Sequence, residues 1–518
     1  MIKNELRFFF CIIAMLIFSV GSLKASTNGF YNVKDFGAIG NGQNLDSPGI
    51  NNAIDAAVKS GGGTVYLPAG TYLSGSIHMK SNINLFLDAG CVILGAPQDI
   101  GAYDPEEEVV GTQYQDGGHT YFHNSLIWGE NLKNVSITGH GMINGGGLVR
   151  SSKESNEGPV GKATKAIALK LCNNVVIRDI TIFHGGHFAI LVTGCNMVLL
   201  DNLIIDTNRD GIDIDCCTNT MVSNCLVNSP GDDAICPKSS FALGKKVITE
   251  NLTITNCQVS AYKEGTLIDG TLIEFKPEGM GGRNGRIKFG TESNGGFRNC
   301  TVSNCTFKFC RGLALEEVDG GIMENITITN LTMSDINGYP IYITLGERNR
   351  DPDTTAVPVG KNIIISNIVA TMIDSLSGIH ITGTPKYYLE NIRISNVLFI
   401  NNGRGAKELG DIDLPELGKG YPEVKRLKSA TPSYGLYARH VKNLDISDVR
   451  VDYNIEDKRP AIACVDVDGL EIDNFKARVA VGTKAGIFQS VKNLAIYNSP
   501  VLDGMKVENK MKKSKKNK

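Results

Sequence analysis

A short phrase that repeats along the chain constrains its fold more than any other feature. Each copy is an Asn-led strand, a break of one or two residues and a second short strand, as in NVVIRDITIFHG. Copies without insertions fall roughly 23–26 residues apart, within the range of a stacked solenoid. The copies start at Asn134, Asn174, Met197, Asn251, Asn299, Asn325, Asn362, Asn391, Asn443, Gly469 and Asn493.

Each copy alternates with period two, and its β-branched residues face one side, whereas helical periodicity between copies is almost absent. Asn at the same corner of every turn tolerates left-handed backbone angles and can hydrogen-bond to the Asn above and below. The pattern predicts an all-β chain folded as a right-handed parallel β-helix. A β-propeller, which needs longer repeats of four strands, fits poorly.

The start of the chain predicts a cap for this coil. Ser47 to Val58 carries apolar residues at helical spacing, Asp46 or Ser47 can cap it, and Gly61 to Gly63 end it. A short N-terminal helix of this kind covers the open end of a solenoid core. Longer gaps between copies predict loops that wall a groove. They fall at about 97–125, 150–163, 261–285, 346–360 and 402–434.

Three segments are predicted. Residues 1–25 carry Lys3 and Arg7, an apolar run and small residues up to Ala25, which is the pattern of a secretory signal peptide. The run is short for a membrane span. Residues 26–505 form a single parallel β-helix domain, and residues 506–518 form a basic disordered tail. We therefore expect an exported protein, secreted or periplasmic, with no membrane contact after signal removal.

The net charge and the cysteine content limit which binding partners, disulfides and metal sites are expected. A formal net charge of −2 gives no long-range attraction to nucleic acid or anionic membranes. Of 13 Cys, Cys11 lies in the signal and most others occur inside strand-like segments, which favours buried free thiols. A disulfide involving Cys216 or Cys217 stays open. No CxxC or Cys/His spacing indicates zinc, and we expect no metal and no cofactor.

Three acidic clusters follow consecutive strand segments. They are Asn208-Arg209-Asp210, the adjacent pair Asp232-Asp233, and Gly290-Thr291-Glu292. Asp210 and Asp232 are about one turn apart, so their side chains can lie one strand spacing, near 4.8 Å, from each other. Close carboxylates raise one another's pKa, so that one stays protonated while another stays ionised. Such a row is what acid–base cleavage of a glycosidic bond requires.

The order Asn-x-Asp-Gly, Gly-Asp-Asp, Gly-Ser/Thr-Glu resembles glycoside hydrolase family 28, the polygalacturonases and rhamnogalacturonan hydrolases, over about residues 30–345. The resemblance implies an inverting hydrolase on a right-handed β-helix. It implies Asp232 as the general acid, and Asp210 and Asp233 as the pair that holds and deprotonates the attacking water. An inverting pair is expected to stand about 6.5–9.5 Å apart.

The chain also departs from the family pattern. Arg209 replaces the usual Thr, no His lies near Asn284 to Arg286, and Arg311 lies where a basic triplet is expected. A literal Arg286-Ile287-Lys288 occurs upstream, out of family order. Lys288, Gly290 and Glu292 alternate onto one strand face. The predicted substrate-binding residues are Glu292, Lys288, Lys238, Arg209, His187 and Arg311.

The sequence thus predicts a monomeric hydrolase that cleaves α-glycosidic bonds of pectic polysaccharides or oligosaccharides. Because the residues expected to bind the carboxylate of a sugar acid differ from the family pattern, rhamnogalacturonan is favoured over plain galacturonan as the substrate. Two alternatives stay open. One is a β-helix pectate lyase that uses Ca²⁺ and a basic residue. The other is a non-catalytic carbohydrate-binding or adhesive β-helix.

Overall fold

Parallel strands wind the chain into one long coil, the predicted right-handed parallel β-helix. The computed structural model describes residues 29–107, 117–149, 163–276, 283–350, 355–422 and 430–508. Within these residues 37 strands form one continuous sheet, and the strands of each named pairing run parallel. The pairings sort into three ladders that run the length of the coil, here called the first, second and third ladders.

The first ladder carries the Asn-led strands. From the N-terminal end it contains Phe30–Asn32, Gly63–Leu67, Ile83–Leu87, Lys133–Gly139, Asn173–Arg178, Asn196–Asp201, Thr218–Ser223, Thr249–Thr255, Gly296–Ser303, Ile322–Ile336, Val359–Ile373, Leu389–Gly403, Leu436–Ile455, Ile462–Asp473 and Lys492–Tyr497. Four of these strands are long enough to continue into the second ladder: Ile322–Ile336, Val359–Ile373, Leu389–Gly403 and Leu436–Ile455.

The second ladder consists of shorter strands that follow each Asn-led strand. It contains Asn41–Leu45, Gly70–Ser74, Cys91–Gly95, Met142–Asn144, Thr181–Phe183, Ile204–Asp206, Leu226–Asn228, Gln258–Ser260, Thr306–Cys310 and Lys476–Ala477 beside the four shared strands.

The third ladder carries the acidic clusters. It contains Ile77–His78, Ile127–Glu130, Ile167–Lys170, Phe188–Thr193, Asp210–Asp215, Ile235–Lys238, Ile287–Phe289, Leu313–Glu317, Ile341–Leu345, Ile379–Thr382, the first residues of Leu436–Ile455 and Ile462–Asp473, Gly486–Gln489 and Val507–Glu508. Its strands around residues 188–238 are buried on both faces, so loops cover its outer side.

The predicted Asn corners are present. Asn325 has a φ of +58°. Its Nδ2 donates to Asn299 Oδ1 at 3.1 Å, and its Oδ1 accepts from Asn362 Nδ2 at 3.0 Å. The same amide-to-amide contact continues to Asn391 and Asn443. Each corner therefore fixes a left-handed turn and ties it to the next turn.

One α-helix, α1, lies within the described residues; it spans Ser47–Lys59 and covers the N-terminal end of the coil, as predicted. Its side chains Ile50 and Ile54 join the main hydrophobic core, which runs to Leu502. Asp46 occupies the N-cap position, but its carboxylate accepts instead from the backbone N–H groups of Ile39 and Gly40. Short 3₁₀ turns lie at Val33–Phe36, Gln98–Ile100, Gly117–His119, Lys407–Asp411 and Pro500–Leu502.

Further predictions from the sequence concern the two ends of the chain and the cysteines. The predicted signal peptide lies outside the described residues, as do residues 509–518. Residues 507–508 form the last strand of the third ladder, so the predicted tail boundary at 506 is wrong there. The 12 Cys from Cys91 to Cys464 are buried and free. No helix among the described residues is long and apolar enough to cross a membrane.

Candidate active site

The predicted acidic residues meet on the outer side of the third ladder. Asp210 begins the strand Asp210–Asp215, which pairs with Ile235–Lys238 on the next turn. Asp232 and Asp233 lie just before that second strand. The predicted separation of one turn is confirmed, since the backbone N–H of Gly211 donates to Asp233 O at 3.0 Å. Parallel pairing thus brings residues more than twenty positions apart in the sequence into one cluster.

Asp210 and Asp232 converge on one backbone donor. The Asp233 N–H lies 3.3 Å from Asp210 Oδ1 and 3.1 Å from Asp232 Oδ1. One carboxylate oxygen from each of Asp210, Asp232 and Asp233 lies within 4.8 Å of the others. This approach is closer than the expected 6.5–9.5 Å of an inverting pair. The nearest carboxylate oxygens thus lie within the strand spacing expected from register, closer than the wider carboxyl separation that the resemblance implies.

The three carboxylates differ in exposure. The Asp232 side chain is 33% exposed, whereas those of Asp210 and Asp233 are 4% and 0% exposed. Asp232 also accepts from Asn284 Nδ2 at 3.2 Å and lies 3.5 Å from Arg209 Nε. Asp232 is thus the member of the trio that reaches the groove.

Asp233 is held by two cations from the following turn. Arg286 Nε donates to Asp233 Oδ1 at 2.7 Å, and Lys288 Nζ contacts Oδ2. Both cations lie on or beside the strand Ile287–Phe289 and are buried. Burial opposes ionisation of Asp233, but Lys288 and Arg286 outweigh it and hold its pKa well below the usual range. Asp233 therefore stays ionised.

Asp210 is in the opposite electrostatic situation. Burial, followed by the charge of Asp232, raises the pKa of Asp210 to about 7, against the lowering effect of Lys238. Lys238 Nζ lies 3.2 Å from Asp210 Oδ2 and 3.3 Å from Asp213 Oδ1. Burial also raises the pKa of Asp213 well above its usual value. Around neutral pH the cluster therefore retains a proton.

Glu292 joins two walls of the groove. Its Oε2 lies 3.7 Å from Lys238 Nζ and 4.0 Å from His119 Nε2, and its Oε1 pairs with Arg350. His119 comes from the loop before residue 125 and Arg350 from the loop after residue 345. The strand ends at Phe289, so the predicted alternation onto one face does not extend to Glu292. Glu292 is buried rather than a solvated turn residue.

Arg209 and His187 form the side of the groove toward the N-terminus. Arg209 Nη1 lies 2.7 Å from His187 Nε2, and its guanidinium lies 5.5 Å from the Phe188 ring centroid. His187 is fully buried. Arg209 also lies beside Asp232 and lowers the pKa of Asp210.

Arg311 lies farther along the third ladder than the other predicted residues. It lines a recess of about 430 Å³ with Arg286, Tyr339 and Tyr342. The Arg311 backbone N–H donates to Asn284 O at 2.7 Å, which ties this recess to the residue that contacts Asp232. The recess therefore continues the groove toward the C-terminal end of the coil.

Three site residues were not among the predicted ones. His119 reaches Lys238 Nζ at 3.1 Å, and Arg286 binds Asp233. Tyr421, from the long loop before residue 435, lies close enough to Lys288 and Arg286 to influence their pKa values. A strand register could have revealed Arg286, because it lies one turn after Asp233. No sequence signal gives the loop positions of His119 and Tyr421.

The chain is similar in sequence to several known proteins. Residues 30–266 match the family described as rhamnogalacturonase A/epimerase, pectate lyase-like. A probable polygalacturonase of Vitis vinifera is 29% identical over 302 residues, which cover 53% of this chain and 60% of the relative. The chain thus spans less than two thirds of that relative.

Two solved structures share the fold. An exopolygalacturonase from Thermotoga maritima has a TM-score of 0.58 at 22% identity, covering 72% of this chain and 87% of that one. A polygalacturonase from Erwinia carotovora has a TM-score of 0.52 at 16% identity, covering 68% and 89%.

The fold and the site define a parallel β-helix protein with a cluster of carboxylates on its third ladder. The similarity of residues 30–266 to that family, and of the chain to a probable polygalacturonase, agrees with the expected resemblance to glycoside hydrolase family 28.

Proposed function

We propose that this protein hydrolyses α-glycosidic bonds of pectic polysaccharides or oligosaccharides of the galacturonan or rhamnogalacturonan type. The observation that supports this most is the pairing of Asp210, whose pKa is raised to about 7, with the groove-facing Asp232. Such a pair supplies both an acid and a base near neutral pH. The proposal includes export from the cytoplasm and action as a monomer.

In this proposal Asp232 protonates the leaving oxygen, because it is the exposed member of the trio. Asp210 first passes its proton to Asp232, which donates it to the leaving oxygen. The ionised Asp210, beside the ionised Asp233 that helps to orient the attacking water, then takes a proton from that water and is protonated again. Arg286 and Lys288 keep Asp233 negative, so it supports the positive charge that develops at the sugar carbon. Glu292, Lys238, Arg209, His187 and Arg311 position or contact the sugar units around this centre.

The stereochemical outcome is part of the proposal. The resemblance implies inversion, in which water attacks opposite the leaving group. The close approach of the carboxylate oxygens, within 4.8 Å, leaves less room for that water than a typical inverting pair. We therefore propose that sugar binding draws Asp232 outward, away from Asp210, before water enters. The anomeric form of the first product, followed by NMR, tests inversion directly.

The cation contacts favour hydrolysis over a Ca²⁺-dependent lyase. A Ca²⁺ ion bound by the trio would compete with Lys288 and Arg286 for both oxygens of Asp233. Ca²⁺ sites in proteins prefer six to eight oxygen ligands. Two cations already close to the carboxylates therefore disfavour that ion. A purely adhesive β-helix gives no reason for a carboxylate pKa near 7 beside an exposed carboxylate.

Product analysis on galacturonan and rhamnogalacturonan oligosaccharides tests the proposal. We expect new saturated reducing ends and activity that is unchanged by a chelator. Unsaturated, ultraviolet-absorbing products that disappear with chelator would replace the proposal by a lyase. Measurable binding with unchanged sugars after long incubation would replace it by a binding protein.

A further inference from the structure

The third ladder carries a second recess beyond the one lined by Arg311. Its floor consists of two side-by-side columns set by strand register. Tyr342, His380 and Tyr437 form one column, since each is the direct partner of the next. Their ring centroids are 5.1 and 5.3 Å apart. Regular pairing therefore places three aromatic rings in a row along the groove.

The neighbouring column is polar. Thr344 pairs with Thr382, and Thr382 pairs with Arg439. Thr344 Oγ1 lies 3.0 Å from Thr382 Oγ1. The opposite wall is the loop segment 414–417, which contributes Glu416. The recess is open to solvent, has a volume of about 360 Å³ and is lined by hydroxyl, carboxylate, guanidinium and aromatic groups.

The charges of the two recesses differ. The charged residues that line the first recess are the cations Arg286 and Arg311, of which Arg286 pairs with the buried Asp233 and lies 3.5 Å from Glu316. In the second recess Arg439 is paired with Glu416 and lies 3.7 Å from Asp413. Burial, together with nearby Arg439, lowers the pKa of His380 to about 3, so this ring adds no charge at neutral pH. The second recess therefore offers little net attraction to a carboxylate.

His380 gives an independent sign of an absent ligand group. The residue is 3% exposed, and its Nδ1 has no hydrogen-bond partner among the described residues. Buried polar atoms are nearly always satisfied, and an exception at a recess lining is accounted for by a water or a ligand hydroxyl that binds there. Hydroxyl-rich ligands suit a site with several donors and acceptors beside aromatic rings.

We propose that this second recess is a subsite for a neutral sugar unit, adjoining a subsite for an acidic sugar beside Arg311. Tyr342 lines both recesses, so the two sugars would belong to one bound chain. The inference rests on the proposed function and narrows its substrate to polysaccharides that carry neutral as well as acidic sugars. Glu416 and Thr382 act as specificity-determining residues through hydrogen bonds to sugar hydroxyls.

A comparison of two oligosaccharides of equal length tests the subsite. One alternates galacturonate and rhamnose, and the other contains galacturonate alone. We expect Glu416→Gln and Thr382→Val each to lower the ratio of kcat/KM for the mixed over the uniform sugar by about tenfold, the scale of one lost hydrogen bond to a charged group. Glu408→Gln, an exposed position in the same loop, should leave the ratio unchanged.

Calorimetric binding to the Asp232→Asn protein separates this inference from the proposed function. If the wild type cleaves neither sugar but binds the mixed one, and Glu416→Gln weakens that binding, the subsite stands and the hydrolase proposal fails. If cleavage occurs but neither variant changes the kcat/KM ratio or the binding preference, the subsite is overturned and the hydrolase proposal stands. Preference for the uniform sugar in the wild type would also overturn the subsite.

Discussion

At the scale of single residues, neighbouring cations decide the state of each carboxylate. Asp233 and Asp210 are both buried on adjacent turns, yet their pKa values shift in opposite directions. Asp233 contacts two cations, Lys288 and Arg286, the second of which also lies 3.5 Å from Glu316. Asp210 pairs with Lys238, which it shares with Asp213, and it lies beside Asp232. A buried carboxyl without its own cation favours the neutral form. The same residue type therefore serves two roles.

The raised pKa of Asp210 predicts a pH-dependent stability. An Asp with a folded-state pKa of about 7 contributes stability that is complete at acidic pH and is lost as pH rises through about 7. Asp210→Asn removes this ionisation. We expect the Tm of the variant relative to wild type to rise by a few degrees between about pH 4 and pH 8. Thermal unfolding of both proteins across this range measures it.

A control variant and the direction of the pH trend show whether that result is specific to Asp210. Asp445→Asn, at an exposed position of the first ladder, should show a pH-independent Tm difference from wild type. A Tm difference for Asp210→Asn that stays constant or falls with pH would contradict a raised pKa. The ionisation of Asp210 should also appear in the pH dependence of activity. We expect kcat/KM to decline on the alkaline side with an apparent pKa of about 7.

At the scale of elements, the corners set the strand register and the loops supply side chains to the site. The left-handed corner repeats along the first ladder, with Asn at most turns and Met197 and Gly469 at two of them, and it fixes the register of that ladder. That register carries through each turn to the third ladder, where it aligns Asp210 with Asp233 and Tyr342 with His380. Loops at the edges of the third ladder then supply His119, Arg350 and Glu416.

The Asn corner predicts a measurable stability loss. In Asn325→Ala the variant loses two side-chain hydrogen bonds and keeps a left-handed angle that Ala adopts at a cost of about 1–2 kcal/mol. We expect a total loss of about 2–3 kcal/mol in the free energy of unfolding, measured by denaturant titration. Asn325→Gly removes the same bonds without the backbone strain, so it should lose less. Equal losses in both variants would show that the backbone angle is unimportant.

The elements also show what could be predicted from sequence. Helix α1 and the Asn corners follow from the spacing of residue types in the sequence. The position of Asp210 beside Asp233 follows as well, because residues one repeat apart lie on adjacent turns of a parallel coil. The path of a loop depends on distant packing, so the approach of His119 to Lys238 had no local signal. The close approach of Asp210 to Asp232 follows from strand spacing, whereas the cations that each carboxylate contacts depend on side-chain packing.

At the scale of the whole molecule, one core runs from α1 to Leu502 and contains a series of stacked thiols. Cys172 N–H donates to Cys195 Sγ at 3.4 Å on the next turn. Burial and hydrogen bonds to neighbouring thiols raise the pKa values of Cys172, Cys257 and Cys305. These thiols are small core side chains and poor nucleophiles, because the reactive thiolate is suppressed.

Free thiols predict a redox-insensitive fold. We expect the Tm to be the same with and without a reducing agent, since the 12 Cys of the described chain are unpaired. Titration of thiols in denaturant should give the same number before and after reduction. A lower number before reduction, together with a drop in Tm on reduction, would reveal a structural disulfide and contradict the arrangement.

The rate of glycosidic bond cleavage by Asp232→Asn tests the central proposal most directly. The variant is nearly isosteric, and its side chain is partly exposed, so it should fold with the wild-type Tm. We predict a loss of at least about a hundredfold in kcat on a pectic oligosaccharide, the usual scale for removing a general acid, while Asp445→Asn keeps the wild-type rate. A folded Asp232→Asn protein that cleaves at the wild-type rate would contradict the account.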